Sequence, residues 1–116
     1  MKFRERSKLI KFPVFANYRV RIVVSNDIQW SIKKIFRLYD IAHQANECEA
    51  MHIWIGGVST SYLVFPNDCP VGTIAHECWH CVRKICDHFG SEFDDEMVAY
   101  HLGYLTQEAF DFIYKK

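Results

Sequence analysis

Within five consecutive residues, His76-Glu77-Cys78-Trp79-His80, the chain sets two imidazoles and a carboxylate in the pattern H-E-x-x-H. Histidines four apart on a helix lie on one face, about one turn from each other, so both rings can reach one metal ion. The carboxylate between them stands beside that face, where it can take a proton from a water activated by the metal. The chemistry so predicted is metal-assisted hydrolysis. His76 and His80 are its ligands, Glu77 is its general base, and Zn2+ is the ion that two histidines and a carboxylate suit.

A helical wheel separates this reading from a pair of core histidines. With His76 at the origin, Ala75, Cys78, Trp79, Val82, Ile85, Cys86 and Phe89 fall in an arc of roughly 180–300°. His80 falls at about 40° and Glu77 at about 100°. The ligand pair therefore points about 140° away from the centre of the apolar stripe, as it should on the open side of a half-buried helix.

A catalytic zinc takes three protein ligands and keeps one position open. The extended pattern with a third histidine beyond a glycine turn fails here. Arg83 stands at the glycine position and Cys86, on the apolar arc, at the histidine position. A glutamate from the following helix is the other solution, and Glu96 lies there, with fifteen residues between it and His80. Ala99 and Gly103 share its stripe and predict a close approach of the two helices. Glu92, Asp94 and Asp95 are rival carboxylates, and an acid at a helix start also serves the helix dipole. His101 points about 140° from Glu96, which sets it apart from the metal.

The elements that must position these groups follow from periodicity. Residues 1–17 are weakly patterned, with Pro13 marking an edge or extended segment and room for a short strand. Arg19 to Val24 alternates as a strand. Ser25-Asn26-Asp27 offers cap residues, and Ile28, Ile32, Ile35, Phe36, Tyr39 and Ala42 recur as a helix of about four turns ending near His43 to Asn46. Met51 to Ile55 and Tyr62 to Phe65 read as a hairpin across Gly56-Gly57, with His52 and Trp54 opposite Met51, Ile53 and Ile55. Asp68 or Cys69 caps the motif helix, Pro70 suits its first turn, and Gly90 ends it. Asp95-Glu96 opens a last helix carrying Val98, Leu102, Leu105, Ala109 and Phe112. The fold class predicted is α+β in one domain over residues 1–116. A small sheet of strand, helix and two strands precedes the H-E-x-x-H helix and a C-terminal helix bearing Glu96.

His76-Glu77-x-x-His80, followed by Glu96 at the head of a second helix after such a front, resembles the gluzincin branch of the zincin metallopeptidases in its shortest form. The resemblance covers roughly residues 18–116. It implies a zincin-like core, zinc held by His76, His80 and Glu96, Glu77 polarising the attacking water, and a substrate strand along the sheet edge at Tyr62–Phe65. The chain departs from the family where Tyr100 replaces an aspartate four residues after the third ligand. It also lacks a larger second lobe. Tyr100, Tyr104 and His101 are the candidates for stabilising an oxyanion.

The composition is half hydrophobic and 16% aromatic, enough for a core in 116 residues. Net charge is zero but unevenly spread. Residues 1–37 carry ten Lys/Arg against two acids, a net of +8, and the remainder carries −8. The simplest reading packs the basic front near the acidic back. Five cysteines and a charged start without an apolar run predict reduced thiols and a cytoplasmic protein, in its own cell or in a host's. Cys78 and Cys81 form a C-x-x-C inside a helix, where small buried residues are the simplest role, and Cys69 is a loop thiol near the motif.

The expected partner is a protein or peptide substrate, with no membrane. The alternative is a zincin-scaffold interaction protein of viral or mobile-element origin that acts by binding a host protein. A third reading, nucleic-acid binding through Lys2 to Arg21, lacks any supporting motif.

Overall fold

The computed structural model describes residues 2–12, 17–42, 48–89 and 95–115. Its elements are β1 (Glu5–Lys11), β2 (Arg19–Ser25), α1 (Ile28–Leu38), β3 (Met51–Ile55), β4 (Thr60–Phe65), α2 (Val71–Phe89) and α3 (Asp95–Tyr114). Among the described residues the protein is α+β, a four-stranded mixed sheet with three α-helices. The strand order is β1-β2-β4-β3. β1 runs antiparallel to β2, β2 parallel to β4, and β3 antiparallel to β4.

Alternation along the strands divides the core between two faces. Val20, Ile22 and Val24 of β2, with Leu63 and Phe65 of β4, meet Ile74, Cys78, Val82 and Ile85 of α2 and Leu105, Ala109 and Ile113 of α3. On the other face Val23, Ile53, Ile55, Tyr62 and Val64 meet Ile32 and Ile35 of α1. No helix among the described residues is long and apolar enough to cross a membrane.

Local chemistry sets the element ends. The Asp27 carboxylate accepts from the Trp30 backbone N–H at 3.1 Å and caps α1. The helix stops at Leu38, five or more residues short of the expected end. Asp40 takes a left-handed φ of 54°, and the Asp40 and Ile41 N–H groups bond back to Arg37 and Phe36. These two bonds satisfy the last carbonyls in the manner usually built on glycine. The rest of the expected helix, His43 to Asn46, lies outside the described residues, as do Pro13, Gly90, Glu92 and Asp94.

The weakly patterned front holds a full edge strand, β1. Part of the basic front does pack on the acidic back. The Arg6 guanidinium donates to the Phe112 and Ile113 carbonyls at the end of α3, at 2.5 and 2.9 Å. Lys8 pairs with Glu108 at 3.4 Å. The expected edge position of Tyr62–Phe65 is corrected: β4 lies inside the sheet and β3 forms the edge. The parallel pairing with β2 takes the side of β4 that a simple hairpin would leave open.

Candidate metal centre

α2 carries the motif, and its buried side consists of Ile74, Cys78, Cys81, Val82, Ile85 and Cys86. This arc is centred about 200° from His76, because Cys81 faces Ser61 of the sheet and Cys78 faces Thr106 of α3. His76 and His80 therefore point almost straight away from the core. Trp79, expected on the apolar arc, is 40% exposed and lies under the Arg83 guanidinium, 6.0 Å from its ring.

The two imidazole Nε2 atoms stand 3.2 Å apart. Two ligands at zinc–nitrogen distance on one tetrahedral ion are separated by about 3.4 Å, so the pair fits a shared metal. Glu77 Oε2 lies 3.7 Å from His76 Nε2. The donor atoms of His76, Glu77 and His80 all lie within 4.8 Å of one another.

Glu77 is the best covered of the three. Its side chain is 13% exposed against 66% for His76. Its Oε1 accepts the backbone N–H of His52, at 2.9 Å, from the edge strand β3. In an antiparallel pair a residue's N–H and C=O point to the same side, so His52 and Trp54 both turn their backbone groups outward, away from β4. The edge that would otherwise be open is thus tied to the carboxylate of the motif.

His52 was legible only as a half-buried strand residue, and nothing in the sequence marked its N–H. Its ring Nε2 lies 2.9 Å from Ser61 Oγ, which in turn lies 2.7 Å from the Tyr18 hydroxyl. Burial first, then the nearby His80 and Lys84, pushes the His52 imidazole down to about 4, so it is neutral at pH 7. A groove of about 560 Å³ runs past His52, Glu77 and His80, with Arg83, Lys84 and Asp87 at its far end. A smaller one of about 380 Å³ lies on the His76 side, beside Glu49 and Thr73.

Glu96 stands exposed in the first turn of α3 and is not in the donor group. Ala99 and Gly103 are exposed too, and a Cβ added to Gly103 would meet nothing within 4 Å. The close approach expected of that stripe does not occur. α3 instead turns His101, Leu105, Ala109 and Ile113 inward. His101 is 2% exposed, with its Nδ1 2.8 Å from the Met97 carbonyl and its ring beside Phe12, which removes it from the oxyanion candidates. Tyr100 is 55% exposed.

All five cysteines are free, and four are buried. Burial pushes the Cys69 thiol up to about 11 and Cys78 up to about 12, and it raises Cys81 further. These are neutral core thiols. The C-x-x-C faces the sheet and α3, so it is built neither for redox exchange nor for a structural metal.

No protein-family model, curated protein or solved structure matches the chain.

Proposed function

We propose that the protein is a zinc-dependent peptidase of zincin type. The observation that carries this reading is the 3.2 Å separation of His76 Nε2 and His80 Nε2 on the open side of α2. Bound there, zinc would polarise a water and a peptide carbonyl. The chain's own residues supply the rest. Glu77 takes the proton on Oε2, while the His52 N–H holds Oε1 and fixes the plane of the carboxylate. Glu96 lies outside the His76–Glu77–His80 donor group, exposed at the head of the helix packed against α2, and would have to be drawn in by the ion to serve as the third ligand we assign to it. The outward C=O of His52 and the outward N–H and C=O of Trp54 offer an extended peptide a strand to pair with along the groove.

Plasma mass spectrometry on untagged, zinc-replete protein tests the site. We expect about one zinc per chain in the wild type, lost in His76→Ala and in His80→Ala and reduced in Glu96→Ala. Glu77→Gln should keep the metal and lose peptide cleavage by about 10²- to 10⁴-fold, the usual worth of a general base. A zinc-replete wild type without zinc would overturn the reading. Zinc fully retained in Glu96→Ala would remove Glu96 alone.

One observation favours a second reading. His76 keeps two thirds of its side chain in water, so the site has little wall on that side. A zincin scaffold that acts by binding a protein would need none. The two readings separate on Glu77→Gln, which would abolish the biological effect of a peptidase and leave that of a binding protein intact.

A further inference from the structure

On the face of the sheet opposite the histidines, α1 is too short to cover what lies beneath it. Its 11 residues span about 16 Å. They seal Val23, Ile53 and Val64. In the neighbouring row Leu9 pairs with Arg21 and Arg21 with Tyr62; Tyr62 is buried, but Leu9 and Arg21 are left without a lid. The last turn of α1 overhangs this row and encloses a cavity of about 710 Å³, within the usual range for small-molecule sites.

The walls have two characters. Val23, Ile35, Leu38 and the Tyr62 ring are apolar, and Leu38 is left 71% exposed at the rim. Arg21, Lys34 and Arg37 supply three cations. The one acid, Glu5, is already engaged, accepting from Ser31 Oγ at 2.5 Å and from the Lys34 ammonium. The Arg21 guanidinium has the neutral Ser7 hydroxyl, at 3.2 Å. Among the described residues, no hydrogen bond or ion pair engages the Arg37 side chain. Two guanidiniums therefore face the cavity without a carboxylate. The hydroxyls of Tyr39 and Tyr62 lie 2.6 Å apart. One phenolic hydrogen is spent on that contact and the other remains to be donated.

We propose that this cavity binds a small organic anion: an acid, sulfonate or phosphate on a flat or aliphatic apolar body. The body would lie against Val23, Ile35 and Leu38, and the anionic group between Arg21 and Arg37. Guanidinium forks suit carboxylate, sulfonate and phosphate oxygens in pairs. The proposal is independent of the metal centre, which lies across the sheet.

The test uses the full chain and two fluorescent probes of nearly the same body. One is 1-anilinonaphthalene-8-sulfonate, and the other is the uncharged N-phenyl-1-naphthylamine. We expect saturable binding of the sulfonate, with amide shift changes at residues 21–23, 34–38 and 62. Arg21→Glu/Arg37→Glu should weaken the sulfonate by about tenfold or more and change the neutral probe by less than about twofold. Arg37→Lys, which keeps the charge, should lose only part of the affinity. Equal loss of both probes, unchanged sulfonate affinity in the double variant, or shifts confined to other residues would each overturn the proposal.

Discussion

Acidifying the metal-free protein should strip out a stability contribution that belongs to His52. Its imidazole is held at about 4 in the fold against 6.5 when exposed. The unfolded chain therefore takes up a proton before the folded one does. The contribution is fully present above pH 6.5, falls as pH drops below it, and is exhausted below pH 4. Linkage over that interval gives a loss of about 2 kcal/mol by pH 5 and about 3 kcal/mol by pH 4. Against a total of about 5–15 kcal/mol this is large. Urea unfolding in the presence of a chelator, at pH 7.5, 6, 5 and 4, would measure it in the wild type and in His52→Gln. Gln keeps a polar partner for Ser61 and does not titrate, so the difference between the two proteins isolates His52 from the other histidines. That difference should shift by about 2 kcal/mol in favour of the variant between pH 7.5 and 5. Parallel stability curves would refute the placement of a neutral imidazole between Ser61 and His80.

Two further outcomes follow from burial. A disulfide reagent added to native protein should react quickly with Cys48 alone, because Cys69, Cys78, Cys81 and Cys86 are each at most 1% exposed, and all five should react in denaturant; a second fast thiol would count against the packing of α2. Gly103→Ala should raise the unfolding free energy by up to about 1 kcal/mol, since the added methyl meets nothing and Ala favours a helix. Destabilisation on thermal melting would mean that the two helices pack along that stripe after all.

The parts of the fold that could be read from the sequence were those where one periodicity acts alone. Val20, Ile22 and Val24 alternate and are buried, and Asp27 caps the helix it precedes. The H-E-x-x-H spacing put both imidazoles on the side of α2 away from the core. What could not be read depended on contacts distant in sequence. β1 shows little alternation because, on an edge, five of its seven residues other than Leu9 and Ile10 are polar. The end of α1 is set by a backbone conformation at Asp40 that aspartate tolerates but does not announce. The partner of Glu77 is a main-chain N–H, 25 positions away, which no residue type encodes. The face of α3 could not be read from Ala99 and Gly103, because small residues can signal close packing or simply an exposed helix. Burial of His101 against Phe12 decided the rotation.

The parallel pairing of β2 with β4 also dictates an order of events in time. The two strands are neighbours in the sheet, yet 34 residues, 26–59, lie between them. Their contact must wait for a long loop to close, which is slow in proportion to its entropy. The β3–β4 hairpin and α2 occupy one continuous stretch, 51–89, and the contact that fixes Glu77 lies entirely inside it. The segment that carries the candidate site is thus expected to organise before the sheet is complete. In a pulse-labelled refolding experiment, amides of 51–65 and 71–89 should gain protection ahead of those in 19–24.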